Sequence, residues 1–432
     1  MKLKMLNNKE AQNAGWLIGG KVIQMLLSLV VGVITARYLG PGNYGLIGYA
    51  NAYVAFFTSF CTLGINSVII RDFVVNPKEQ GEAIGTTIVL RLISSALSTV
   101  MIIAIVGVLD KGESITIVVT ALCSISLVFQ TLDTINYWFQ SRYQSKITSI
   151  ATLMGYVIVS AYKIVLLIMG KDVRWFAFAS ALDYICIGIF LFVTYKKYGG
   201  PKLSFSFTKA KNLLKSSYHY ILSGMMVAIY GQTDKLMLKQ MLNETEVGYY
   251  TVAATICGMW VFVLRAIIDS MYPTILQLYG KNQEAYEHKN RQLYAIVFYV
   301  SGFVSIIFLL LGKFIINVLY GENFAGAEVP LKVVTWYTAF SYLGVARNAW
   351  IVCEDKQRYL KYMYLSAAIL NVILNFIFIP VLGATGAALT SLLTQIGTSV
   401  ILPMMFKELR PNVKLMWDAI RLKDVFNKIS VS

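Results

Sequence analysis

Apolar runs of about 20 residues, the length that crosses a bilayer, recur along the whole 432-residue chain. Only short basic or Gly/Pro-containing segments break them. This pattern restricts the fold more than any motif does. A backbone in hydrocarbon must satisfy its own N–H and C=O groups, so such runs become helices or the strands of a closed barrel. Barrel strands would alternate over segments of about 10 residues, and no such segments occur. The chain is 57% hydrophobic and only 14% charged, whereas soluble domains carry about 25% charged residues. Its mean hydropathy is +0.63. The expectation is an all-α integral membrane protein.

The runs divide into about twelve spans. Six fall at roughly 14–36, 44–70, 83–109, 114–139, 147–169 and 175–195, and six at roughly 216–241, 247–279, 292–320, 329–352, 359–380 and 384–406. The longest connection, Lys196–Lys215, is basic, contains Gly199-Gly200-Pro201 and lies near the midpoint. It predicts an N-terminal six-helix lobe over 1–200, including the start of the linker, a C-terminal six-helix lobe over 201–406, and a basic tail over 407–432. A weak internal repeat agrees. Leu39-Gly40-Pro41-Gly42-Asn43-Tyr44-Gly45, with Ala50 beyond it, matches Leu242–Gly248 with Ala253. Both segments follow the first helix of a half, so the repeat is parallel, as in transporters whose substrate path lies between repeats.

Lys and Arg set the orientation. With the N-terminus inside, about 25 of them lie on the cytoplasmic side and about five, such as Arg37 and Lys171, on the other. Both termini are therefore expected in the cytoplasm. The first apolar run is too long for a signal-peptide core and is read as a retained helix. Most of the net charge of +16 follows from this topology and requires no nucleic-acid partner. The five cysteines are isolated in or beside spans and read as small core residues. His219 and His288 are the only histidines, too few and too far apart in sequence for a zinc site. No Walker A, GxSxG or HExxH motif is present, so neither a cofactor nor a metal is expected, and neither catalysis nor ATP hydrolysis is.

Charges inside the spans are the functional signal, because a charge at the bilayer centre costs about 2.5–3.5 kcal/mol on insertion scales. Such residues face a bundle interior or a water-filled cavity. The inner half holds Lys21, Arg91, Asp133, Arg265, Asp269 and Arg347, a net positive group; the outer half holds Lys163, Asp183, Asp234 and Lys235 in balance. Lys313 and Lys332, near outer ends, read as side chains that snorkel to the interface. Arg265 and Asp269 stand at i,i+4 and fit a pair along one face. Lys21, Arg91 and Arg347 have no carboxylate at helical spacing in their own spans. With Arg265 they are the candidates for a cationic substrate path; guanidinium suits phosphate oxygens, and Lys21 acts as a point charge. Asp133, Asp183, Asp234, Lys235 and Asp269 are the candidates for ion coupling or gating.

Several segments together resemble the Wzx-type polysaccharide and O-antigen flippases of the multidrug/oligosaccharidyl-lipid/polysaccharide exporter superfamily. They are Ala36–Gly45, Leu63-Gly64-Ile65 with Arg71-Asp72, and Thr233–Leu238 with Glu246–Tyr250 and Ala253. Pro273, and Ile379-Pro380 followed by Gly383 and Gly386-Ala387-Ala388, complete the set. The resemblance implies twelve helices in two six-helix lobes around a central cavity. It also implies a location in the bacterial inner membrane and flipping of an undecaprenyl-diphosphate-linked oligosaccharide. A pyrophosphate head group suits a cationic path. Membrane lipid, a polysaccharide polymerase and a chain-length regulator are the further partners the resemblance implies. An exporter of small amphiphilic compounds would favour an acidic cavity, and a polysaccharide polymerase would need a large outer loop that is absent.

Overall fold

A computed structural model describes residues 9–425; Lys2, Lys4 and the end of the basic tail lie outside the described residues. Among these residues the chain forms helices and no strand. In order they are α1 Lys9–Cys61, α2 Asn66–Val75, α3 Gln80–Leu109, α4 Ser114–Phe129, α5 Thr134–Ser141, α6 Ser145–Ile168, α7 Val173–Lys197 and α8 Phe207–Met241. There follow α9 Glu244–Leu278, α10 Gln283–Leu319, α11 Glu328–Ala346, α12 Asn348–Cys353, α13 Leu360–Ile396, α14 Leu402–Met405 and α15 Arg410–Ile420. The chain divides into two compact units, Met1–Gln232 and Thr233–Ser432.

Among the described residues, eight stretches are long and apolar enough to cross a membrane. Two of them, Gly19–Cys61 and Gln357–Met405, have 43 and 49 residues, twice the roughly 20 residues of one crossing. Each is broken once, at Gly40 with φ 71° and at Gly383 with φ 55°. Glycine enters this region of backbone space without a Cβ penalty, and Pro41 and Pro380 beside these breaks remove further helical hydrogen bonds. Each long stretch is thus two spans. The remaining two expected spans, roughly 216–241 and 329–352, fall within α8 and over α11 with α12, where charged residues lower the hydropathy. The integral membrane fold is the one the sequence requires.

Side-chain caps set several helix starts. Asp172 accepts from the Arg174 N–H at 3.1 Å to start α7, and Asn243 accepts from the Glu246 N–H at 3.1 Å to start α9. The repeat is visible here: Gly40-Pro41 and Asn243-Glu244 both mark the break between the first and second span of a half. After Gly383 the second segment of α13 is capped from outside, by Glu246 Oε2 accepting from the Ala384 N–H at 2.6 Å.

The second span departs from the sequence reading. It does not run helical to residue 70: the chain turns at Leu63 and Gly64, with φ 51° and 60°, and α2 starts anew. α8 is the cause. A Cβ on Gly64 would lie 2.8 Å from the Ser217 carbonyl oxygen, so the backbone bends where α8 passes. The fourth span of each half is also interrupted near its C-terminal end, by a 3-10 turn over Gln130–Asp133 and by a break at Arg347 between α11 and α12.

The first unit has one apolar cluster around Trp138, Phe139, Phe73 and Ile69 and another around Phe176, Leu46 and Val119; the second unit has one around Tyr286, Tyr294, Leu343 and Trp350. Leu26, Val100, Ile168, Leu310 and Phe376 are more than half exposed on the helix exteriors. Apolar patches of this extent do not persist in water; they form the lipid-facing belt.

The basic linker is strapped to the first unit. Lys202 and Ser204 pass over Gly81 and Gly85, where a Cβ would meet their carbonyl oxygens at 2.2 and 2.4 Å. The Ser206 N–H donates to Thr86 Oγ1 at 3.0 Å, and Lys209 Nζ reaches Asp72 and Glu79, each at 2.9 Å.

Candidate functional site

The most completely built polar site lies in the second unit around Asp234. This residue sits on α8 and is 3% exposed. Its Oδ2 accepts from Tyr250 Oη of α9 at 2.6 Å and from Ser391 Oγ of α13. Its Oδ1 accepts from Asn371 Nδ2 at 2.9 Å and Asn375 Nδ2 at 2.7 Å, one helical turn apart on α13 before the Gly383 break. Four neutral donors thus converge on one carboxylate from three helix segments. Hydrogen bonds to a charged group contribute about 1.5–3 kcal/mol each, which offsets the desolvation of the carboxylate. Oδ1 of Asn375 is buried without a hydrogen-bond partner, as are Oγ1 of Thr390 and Thr394, on either side of Ser391 in sequence. A carboxylate surrounded by neutral oxygens and hydroxyls is a setting in which a small cation or proton can be held and released.

The sequence signals Asp234 as a charge in a span but not its partners. The pair Asn371 and Asn375, at i,i+4 in an otherwise apolar run, is the one cue that was available. Lys235, the neighbour of Asp234, is half-buried, and the hydrogen bonds of Asp234 go to Tyr, Ser and Asn instead.

The other coupling candidates are less enclosed. Asp133 is half-buried in its 3-10 turn and accepts from Asn136 Nδ2 at 3.0 Å. Asp183 of α7 lies beside Gly155 of α6, and its Oδ1 has no hydrogen-bond partner. Asp269 is exposed and lies 3.5 Å from Arg265 Nε, with side-chain exposures of 65% and 67%.

The four cations of the expected path fall into two groups. Lys21 and Arg265 are exposed; Lys21 Nζ donates to Gln24 Oε1 at 3.2 Å. Charged side chains within spans almost always face a bundle interior or a water-filled cavity. Arg91 and Arg347 are buried inside their units. Arg91 donates to Thr134 Oγ1 at 3.0 Å and to the Gln130 carbonyl at 3.1 Å, pinning the turn between α4 and α5. Arg347 donates to the Ser399 carbonyl at 3.2 Å, within a π-helical turn at Gly397–Ile401. The Nε of each has no partner. Of the two interface lysines, Lys332 is paired with Glu328 at 2.6 Å, one turn away, and Lys313 is exposed.

A pocket of about 610 Å³ in the first unit is lined by Arg71, Lys209, Asp72, Glu79 and Glu82 among others. Its carboxylates outnumber its cations, so it does not fit an anionic head group.

The model of a family described as polysaccharide biosynthesis protein matches residues 11–279. The capsular polysaccharide biosynthesis protein CapF of Staphylococcus aureus is 21% identical over 89% of this chain and 96% of its own length. A putative O-antigen transporter of Escherichia coli (strain K12) is 19% identical over 87% of this chain and 92% of its own length. Among solved structures, the lipid II flippase MurJ in an inward closed conformation aligns with a TM-score of 0.67 at 14% identity, over 94% of this chain and 90% of that one. That likeness extends the shared fold across both units.

Proposed function

The chain belongs to the polysaccharide biosynthesis protein family, and we propose that it is a membrane transporter, not an enzyme, that flips a lipid-linked oligosaccharide. The substrate we assign is an undecaprenyl-diphosphate-linked repeat unit, moved from the cytoplasmic to the outer leaflet of the bacterial inner membrane for O-antigen or related surface polysaccharide. The observation that carries this reading is the exposure of Lys21 and Arg265 within membrane helices. Water-facing cations at that depth suit a pyrophosphate that must leave one interface and reach the other, while its lipid tail stays in hydrocarbon. Excess Lys and Arg on the side of both termini supports placing them in the cytoplasm.

Asp234 is the coupling residue in this scheme. A proton or sodium ion bound there replaces one or more of its four neutral donors and loosens the contact of α8 with α9 and α13. Arg91 and Arg347, held by backbone carbonyls in this conformation, act as pins on the interrupted fourth spans and meet substrate only if those turns open.

The test is flipping of defined lipid-linked oligosaccharides in proteoliposomes, with and without a proton or sodium gradient. Flipping that depends on the pyrophosphate is expected. Equal transport of an uncharged lipid-linked sugar would overturn the role given to the cations.

A further inference from the structure

The tail helix α15 follows the last span directly and has two unlike faces. Asn412, Val413, Leu415, Met416 and Ala419 are buried. They pack toward α10, where Asn412 Nδ2 donates to Tyr294 Oη at 2.6 Å and Tyr299 Oη donates to the Ile420 carbonyl at 2.6 Å. The opposite face carries Arg410, Lys414, Trp417 and Arg421, at i, i+4, i+7 and i+11, all exposed. Trp417 is 51% exposed and the Arg421 guanidinium stacks 4.9 Å from its ring.

The depth of this face is fixed by its neighbours. Tyr299 lies about 10 Å along α10 from Gln292, at 1.5 Å per residue, and Gln292 itself donates to the Val425 carbonyl at 3.1 Å. The lipid-facing surface of α10 begins in the same turns, with Ile296 and Phe303 exposed. Met404 and Met405, the last exposed residues of the preceding span, abut the helix, and Arg410 Nε donates to the Met404 carbonyl at 2.9 Å. The face continues onto the first turn of α13. There the Lys361 ammonium lies 4.9 Å from the Tyr362 ring, and that ring lies 6.3 Å from Phe406. Asp418 is half-buried and Glu408 lies 4.0 Å from Arg358, so the exposed stripe itself is cationic.

We infer that this face is an interfacial docking surface for anionic phospholipid in the leaflet next to the C-terminus. Trp417 seats at the headgroup level, where indole rings concentrate, and Arg410, Lys414 and Arg421 take the phosphates. The surface belongs to the second unit alone and does not depend on the nature of the transported substrate. Bound lipid holds α15 against α10 and so fixes the inner end of that span.

The experiment uses the purified full chain and brominated phosphatidylglycerol, with brominated phosphatidylcholine and inorganic phosphate as parallel arms. The readout is the quenching lost on Trp417→Phe, which isolates this patch. Each basic residue near an anionic surface is worth about five-fold in lipid affinity, so removing three shifts half-saturation by about a hundred-fold. The variant R410Q/K414Q/R421Q is expected to show that shift for phosphatidylglycerol and none for phosphatidylcholine, with phosphate inert. The single variant K414Q, expected to shift by about five-fold, carries the same test if the triple variant does not fold. An unchanged phosphatidylglycerol titration in the variants, or equal quenching by both lipids in the wild type, would overturn the inference.

Discussion

The side-chain amide of Asn375 stands 2.7 Å from the carboxylate of Asp234, across 141 residues of sequence. Together with Asn371 it makes the carboxylate a junction between α8 and the segment of α13 before the Gly383 break, while Ser391 ties in the segment after it. Asn375→Leu is expected to cost about 1.5–3 kcal/mol, the worth of one hydrogen bond to a charged group. Asp234→Asn places an amide N–H₂ against existing donors, and gradient-dependent flipping is expected to fall to the level seen without a gradient. Thermal unfolding in detergent reads the first effect and proteoliposome flipping the second. Undiminished gradient dependence in Asp234→Asn would remove this residue from coupling.

Lys21 and Arg265 are exposed, so their neutralisation leaves folding intact. Lys21→Gln and Arg265→Gln are each expected to slow flipping by roughly ten-fold, a barrier change of about 1.4 kcal/mol, with unfolding temperatures unchanged. Lys21→Arg keeps the charge and is expected to keep most of the rate. Asp269→Asn costs at most about 0.5 kcal/mol, since an exposed i,i+4 pair is worth little. A double-neutral variant that flips a pyrophosphate-linked substrate at the wild-type rate would exclude a substrate path through these residues.

Hydropathy made the spans legible because burial in lipid leaves no choice of residue type over about 20 positions. The Gly40-Pro41 break was legible for the same local reason that glycine and proline end helices. The turn at Leu63 and Gly64 was not, because it is dictated by α8 passing at Ser217, far away in sequence. Asp234 was legible as an isolated charge, whereas Tyr250 and Ser391 are ordinary residues in a span until the fold brings them to it. Arg91 and Lys21 looked alike in sequence. Only the packing separates a cation buried against the Gln130 carbonyl from one exposed on its unit.

Gly85 lies under the linker strap, where a Cβ would stand 2.4 Å from the Ser204 carbonyl oxygen. Backbone cannot yield as a flexible side chain does, so Gly85→Ala is expected to cost about 1–3 kcal/mol as overpacking. The strain falls on the strap, and limited proteolysis within 200–206 is expected to speed up relative to the wild type. Gly107, with open space around its Cβ position, is the control: Gly107→Ala is expected to be neutral or slightly stabilising, because helix propensity favours alanine by about 1 kcal/mol. Equal cleavage of all three proteins would show that the strap is not held by this contact.

Lys209 joins the same strap to Asp72 and Glu79, outside the membrane-spanning segments. Burial alone pulls its ammonium downward, but the hydrogen bonds it donates to Glu79 and Asp72 and their charges outweigh that, and its pKa is raised. A lysine whose pKa is higher folded than unfolded adds stability that is fully present below the unfolded value of about 10.4. That increment is lost as the pH rises through the folded value. Wild-type protein is therefore expected to lose stability above about pH 10.4 more steeply than Lys209→Met. At neutral pH the variant is expected to be less stable by about 1 kcal/mol, the upper end for a partly exposed ion pair. Unfolding temperatures of both proteins measured from pH 7 to 11 decide it: parallel curves across that range would mean that the Lys209 ion pairs contribute nothing to holding the linker.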